Sequence, residues 1–411
     1  MTPARQIRRR AALLILWLCA AASLQLRAQL PPPILILVSF DGWRWDYLDR
    51  FEAPHLKALA ARGVRSEGLI PSYPTLTFPN HYTLVTGLTP DRHGIVSNAM
   101  FDPAIGPDRF TMSSVTAKDP RWWGGEPIWT TAIRHGRKSA AMFWPGSEAI
   151  FPTYWKPFDD ALPNPERVAQ VLEWLDLPAP DRPSFITLYF SDTDTAGHRA
   201  GPDSSLVRTA ARRADEGLGL VLAGIEQRGL GDRTTIVVVS DHGMIATSSD
   251  KVIALSDYVS PGQVEVLDSG GGLALNPRGG ATVEQIYQQL AGKHPSLAIY
   301  KRDQAPAWLR YGTHPRVPAL LGVVEAGWTV TVNRSPAPSP VPARIGGAHG
   351  YDPRYRDMHG LFVAAGPRIR RGYVAPEFAN IHVYAFLCEA LGLRPAANDG
   401  DPAQTANFFV R

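Results

Sequence analysis

Cysteine is nearly absent. The 411 residues include two, Cys19 and Cys388. That excludes a disulfide framework and a thiolate cluster for a metal. Long apolar runs are missing too. The N-terminal run AALLILWLCAAASL is about 14 residues, short of the roughly 20 that a spanning helix needs. An excess of one charge sign is also lacking once the N-terminus is set aside. Residues 1–28 hold Arg5, Arg8, Arg9, Arg10 and Arg27 and no acid, so the rest carries 37 basic against 38 acidic side chains. A net charge near −1 gives no reason to expect a polyanion partner, and no specific nucleic-acid partner is expected. No internal repeat is visible.

What is present is a core. Hydrophobic residues make up 45% and charged residues 19%, a globular composition. Residues 1–28, with a basic start, an apolar middle and LRAQ, read as a signal peptide cleaved after Ala28. Export across an inner membrane to the periplasm is therefore expected, with no stable membrane span after cleavage. An exported chain left with Cys388 alone must rely on core size, metals or both.

Four continuous apolar runs read as buried parallel strands: ILILVSF (34–40), KSAAMFW (138–144), PSFITLYF (183–190) and TTIVVVSD (234–241). Helical patterns fall between them at 53–63, 164–177 and 204–229. A final strand (359–366) and helix (380–393) return to this pattern. The alternation predicts an α/β fold: a three-layer α/β/α sandwich with a largely parallel central sheet, spanning 29–411. Residues 245–345, richer in glycine and proline, read as an inserted cap region.

In such sheets ligands bind beyond the carboxyl ends of the strands. Asp41 follows the first strand, Asp194 and His198 the third, and Asp241-His242 the fourth; His349 stands in GGAHGYD. Three Asp and three His at such turns read as two metal sites with N/O ligands, with zinc the leading metal. Asp194 and His198 share a face if their segment is helical. Asp241 and His242 could serve one ion, two ions or a bridge. The other eight histidines, His81 included, read as packing or turn residues.

Such a centre needs a nucleophile. SYPTLTFPNHYTLVTG (72–87) offers Thr75 and Thr77. Thr77 stands at the start of the helical run, where a metal could activate its hydroxyl and backbone N–H groups face an anion. Thr77 is therefore the expected nucleophile.

LVSFDGWRWDYL, PSYPTLTFPNHYTLVTGLTPDRHGIVSNAMFD, FWPGSEA, DTDTAGHRAGP, VVSDHGM and GAHGYD, in this order, resemble the nucleotide pyrophosphatase/phosphodiesterase family of the alkaline phosphatase superfamily. The resemblance covers nearly all of 34–390 and implies a bacterial member consisting of the catalytic domain alone. It implies two zinc ions per chain, one held by Asp194, His198 and His349, the other by Asp41, Asp241 and His242 with Thr77 on its open side. It implies attack by Thr77 to form a phosphothreonine, with Asn98 and the Phe78 backbone N–H meeting a non-bridging oxygen. Phe78 and Tyr189 would flank a nucleobase, with Phe158 where relatives often carry a tyrosine. The implied substrate is a small nucleotide phosphodiester; choline- or glycerol-type diesters, phosphonates and phosphate monoesters are the alternatives. Asp192-Thr193 depart from the family's Glu-Pro.

Overall fold

The computed structural model describes residues 32–334 and 345–410. The expected signal peptide, its cleavage point and Cys19 lie outside the described residues.

Strand β1 (Ile34–Phe40) is the axis of the molecule. Leu35 and Leu37 face one apolar layer and Ile34, Ile36 and Val38 the other, the two-residue period of a strand covered on both faces. Around it stand β2 (Val64–Ser66), β3 (Ser139–Met142), β4 (Tyr154–Lys156), β5 (Phe185–Phe190) and β6 (Thr234–Val239). A second sheet, β7 (Val264–Ser269), β8 (Gly272–Pro277), β9 (Leu297–Lys301) and β10 (Leu320–Val324), intervenes in sequence. Strands β11 (Phe362–Ala365) and β12 (Tyr373–Ala375) then rejoin the first.

The main sheet has eight strands in the order β12-β2-β11-β6-β1-β5-β3-β4. Strand β11 alone runs antiparallel to its neighbours in this sheet. The other pairings are parallel, with β1 hydrogen-bonded between β5 and β6. The expectation of a largely parallel sheet holds, while the returning strand near 362 runs the opposite way.

Helices α1 (Pro54–Ala61), α4 (Asn164–Asp176) and α6 (Ser205–Gln227) cover one face, packing Leu59, Val171 and Leu218 against Ile36 and Val38. Helices α2 (Thr77–Thr86), α3 (Ile128–Arg134) and α8 (Val383–Leu391) cover the other, packing Leu84, Trp129 and Phe386 with Leu35 and Leu37. A further helix, α5 (Asp192–Ala200), directly follows β5. This is the three-layer α/β/α sandwich.

The second sheet is antiparallel, in the order β7-β8-β10-β9. It has its own core, in which Leu275, Leu297 and Leu320 pack with Ile286 and Leu290 of α7 (Val283–Leu290). Asp91 ties the following loop to the main layer by accepting the backbone N–H groups of Gly312, Thr313 and His314. Among the described residues no helix is long and apolar enough to cross a membrane.

Candidate active site

The carboxyl ends of β1, β5 and β6 lie side by side, because these strands are neighbours. The residues just past them therefore meet. Asp41 follows β1, and Asp241 and His242 lie just beyond β6. Helix α5 presents Asp194 and His198 one turn apart, with Asp194 Oδ1 3.3 Å from His198 Nε2. Residues Ile345–Ala348 pair antiparallel with Ile245–Ser248 and deliver His349 to the same place. Its Nε2 lies 3.1 Å from that of His198, and its ring stacks on His242 with centroids 3.6 Å apart.

Two close backbone approaches leave room only for glycine. Gly42 has φ +64°, and a Cβ there would come within 2.8 Å of Asp194 Cα. A Cβ on Gly271 would lie 2.2 Å from the carbonyl oxygen of His349.

The three imidazoles share one arrangement. Nδ1 of His198 faces the carbonyl of Gly347 at 2.9 Å, that of His242 the carbonyl of Gly243 at 2.9 Å, and that of His349 the carbonyl of Thr75 at 2.8 Å. A carbonyl only accepts, so each Nδ1 bears a proton, and each ring in its neutral, metal-binding form turns its Nε2 lone pair inward. Opposite them stand Asp41 Oδ1, Asp194 Oδ1 and Asp241 Oδ2, each buried without a hydrogen-bond partner among the described residues. Converging lone pairs and orphaned carboxylate oxygens repel one another unless cations lie between them. Asp194, His198 and His349 form one group close enough to hold an ion, and Asp41, Asp194 and His242 another. His242 Nε2 also lies 3.0 Å from Asp241 Oδ2 and 3.6 Å from Asp41 Oδ1. This donor set of imidazole and carboxylate, without thiolate, suits zinc.

Charge crowding shifts the titrations of the metal-free cluster. Burial, together with Asp241 and Asp194, raises the Asp41 carboxyl well above its ordinary range. Despite burial, Asp241 and Asp41 push His242 up to about 10. Burial and the neighbouring His242 push His349 down to about 3.

Thr77 is the first residue of α2, and its Oγ1 lies 3.4 Å from His242 Nε2. Thr75 is fully buried: its hydroxyl donates to the carbonyl of Tyr351 at 2.9 Å and accepts from the N–H of Gly350 at 2.9 Å. Of the two threonines, Thr77 faces the cluster and Thr75 braces the loop carrying His349.

Two groups expected on the substrate side make hydrogen bonds of their own. The Phe78 N–H, expected to be open to an anion, donates to Asn98 Oδ1 at 2.9 Å. A helix-terminal N–H seeks an acceptor, and the Asn98 amide oxygen supplies one. This leaves Asn98 Nδ2 without a partner among the described residues. Tyr189, expected as one wall of a base slot, donates its hydroxyl to Asp41 Oδ2 at 2.6 Å. Its ring still lies 6.1 Å from that of Phe158, which is half exposed. Phe78 packs on Phe110 and Trp123, each 6.0 Å away between centroids.

One neighbour escaped the sequence reading. His81, taken as a packing residue, is buried beneath Thr77 with Nδ1 3.3 Å from Asp241 Oδ2. The available signal was its position four residues after Thr77, on the same helix face.

An eight-stranded, mostly parallel sheet bearing this cluster at its strand ends is an alkaline phosphatase-like fold. A family model described as type I phosphodiesterase / nucleotide pyrophosphatase matches residues 35–352. Ectonucleotide pyrophosphatase/phosphodiesterase family member 3 of Mus musculus is 36% identical over 402 residues, 93% of this chain and 45% of that protein. Venom phosphodiesterase 2 of Crotalus adamanteus is 35% identical over 379 residues, 89% of this chain and 46% of its own. Family member 5 of Homo sapiens is 33% identical over 395 residues, 94% and 81% respectively. The chain thus spans about half the length of the first two. A solved structure of murine ectonucleotide pyrophosphatase/phosphodiesterase 5, inactive through a threonine-to-alanine change and in complex with AMP, superposes with a TM-score of 0.86 at 33% identity. It covers 92% of this chain and all of that one. The chain belongs to the type I phosphodiesterase / nucleotide pyrophosphatase family. These relatives are from animals, and the expected bacterial origin finds no support in them.

Proposed function

We propose that the protein hydrolyses nucleotide phosphodiesters and pyrophosphates to nucleoside monophosphates, with two zinc ions per chain and a phosphothreonine at Thr77. The observation that carries this is the convergence of three Nε2 atoms and three orphaned carboxylate oxygens beside the Thr77 hydroxyl. Asp194, His198 and His349 would hold one ion, and Asp41, Asp241 and His242 the other. When bound, the ions supply the positive charge that lowers the pKa of the threonine hydroxyl and neutralises the phosphoryl oxygens.

The chain's own residues supply the rest. Thr77 Oγ bonds phosphorus as the bond to the leaving oxygen breaks. Water then breaks the Thr77 Oγ–P bond and frees the nucleoside monophosphate. His198, with a side chain 45% exposed, marks where the cluster opens to solvent. Asn98 Nδ2 donates to a non-bridging oxygen. Phe78, Tyr189 and Phe158 offer aromatic faces to the base. The AMP bound by the murine relative and its inactive threonine variant support this reading. Export to the periplasm through residues 1–28 belongs to the same proposal; cell fractionation tests it.

Asn98 separates two duties. Asn98→Ala is expected to lower kcat roughly 10²–10³-fold, the usual cost of one oxyanion donor. Asn98→Asp keeps the acceptor for the Phe78 N–H but replaces the donor with an anion, and should lose at least as much. An Asp variant near wild-type kcat would show that Asn98 serves only to cap the helix.

The donor set favours diesters over monoesters. Among the described residues no lysine or arginine pairs with the acids of the cluster, whose close basic neighbours are histidines. Arg92 pairs instead with Asp399, and Arg109 donates to the carbonyl of Val266. A neutral Asn98 suits the single charge of a diester better than a monoester dianion. The kcat/KM for the nitrophenyl ester of thymidine monophosphate should exceed that for nitrophenyl phosphate by at least about 100-fold, roughly 2.7 kcal/mol. Equal values, or a monoester preference, would make the protein a phosphatase.

A further inference from the structure

We infer that His81 is a positioning residue that locks the nucleophile-bearing end of α2 onto β1, through the Thr77 carbonyl on one side of its ring and Ser39 on the other. The inference rests on Thr77 being the nucleophile.

His81 is fully buried, one helical turn beyond Thr77. Its Nδ1 lies 2.9 Å from the Thr77 carbonyl oxygen, which can only accept, so Nδ1 carries the proton. Nε2 is then an acceptor, and the Ser39 hydroxyl 2.8 Å away is its donor. Ser39 belongs to β1, two residues before Asp41, and is itself fully buried. The link Ser39–His81–Thr77 therefore joins the strand that presents Asp41 to the first turn of the helix that presents the hydroxyl. Aromatic edges fix the plane of the ring: Trp144 lies 5.0 Å and Tyr189 5.4 Å away between centroids. Tyr189 holds Asp41, and the Trp144 indole N–H donates to the His81 carbonyl at 3.1 Å.

Proximity alone would class His81 as a metal ligand, since it groups with Asp41 and Asp241. The hydrogen bonds argue otherwise. Nδ1 spends its proton on Thr77, and Nε2 spends its lone pair on Ser39. His242 differs: its Nδ1 is held by a backbone carbonyl and its Nε2 looks into the cluster. A displacement of about 1 Å at a reacting group costs on the order of 10²-fold. An anchor one turn below the nucleophile acts at that scale.

The test uses the full-length enzyme with zinc. In His81→Asn the side-chain amide N–H can replace the Nδ1 donor, and kcat should stay within about tenfold of wild type. In His81→Leu the anchor is gone, and kcat should fall about 10²-fold with KM within a few-fold and zinc content unchanged. Nitrogen-15 NMR of the wild-type imidazole should find the proton on Nδ1, and this reading needs no variant to fold. A wild-type kcat in His81→Leu, equal losses in both variants, loss of a zinc equivalent, or a proton on Nε2 would each overturn the inference. If Thr77→Ala stays active, the nucleophile assignment fails whatever the His81 variants do. If Thr77→Ala is inactive while His81→Leu is normal, only the anchor fails.

Discussion

Replacing Thr77 with alanine is expected to lower kcat by several orders of magnitude, up to about 10⁶-fold, the loss seen when a hydrolase loses its nucleophile. Binding should survive, because the aromatic faces and Asn98 remain. Thr77→Ser should retain part of the rate: the hydroxyl is kept, but without the methyl that restricts its rotamer. The control is Thr75→Ala. That change breaks two buried hydrogen bonds, to the Tyr351 carbonyl and the Gly350 N–H, but keeps the backbone carbonyl facing His349. It should cost about 1–3 kcal/mol of stability and leave kcat within about tenfold. Steady-state kinetics and thermal melts on the same preparations separate the outcomes. Comparable loss of kcat in the two alanine variants would remove Thr77 from its role.

Stripping the metals should abolish turnover, and zinc should restore it with about two ions per chain. The cluster also predicts how loading depends on pH. Ligands must be deprotonated to bind. In the metal-free protein at neutral pH, His242, raised to about 10, holds a proton. His349, lowered to about 3, does not. Zinc binding at pH 7 should therefore release the proton that His242 holds. The apparent affinity should fall as the pH drops from 8 to 6, because protons compete more strongly for the same atoms. Calorimetry in buffers of different ionisation enthalpy measures the release directly. Full activity after exhaustive chelation, or binding without proton release, would contradict this account.

The sheet was legible because parallel strands covered on both faces leave continuous apolar runs. All four such runs contain strands, from Ile34–Phe40 to Thr234–Val239. The acids at their ends could be found because one topological rule says where to look. The direction of β11 could not, since an apolar run reads the same either way. Short strands such as β2 and β12, of three residues each, carry too little pattern to register. Side-chain pairings were the least legible part. The bond from Tyr189 to Asp41 joins residues 148 positions apart, and that between Phe78 and Asn98 spans 20. Nothing local marks either one. Thr193 is a similar case. It stands where the family often has proline, yet its hydroxyl donates to the Asp41 carbonyl, a bond proline could not make.

The close approaches at Gly42 and Gly271 bear on how such a site would look in a mutational scan. Any side chain at Gly42 meets the backbone of Asp194, and any at Gly271 meets the carbonyl of His349. Each would displace a group assigned to a metal while contributing no atom to the chemistry. A screen scored on activity would rank these two glycines beside the histidines. Conservative changes at the polar residues discriminate where alanine does not: swapping Asp for Asn preserves the shape and alters only the donor atoms, and swapping His for Gln trades the ring for an amide of similar reach. The glycines admit no isostere, and this lets the map of intolerance be divided into residues that react and residues that hold the reacting ones apart.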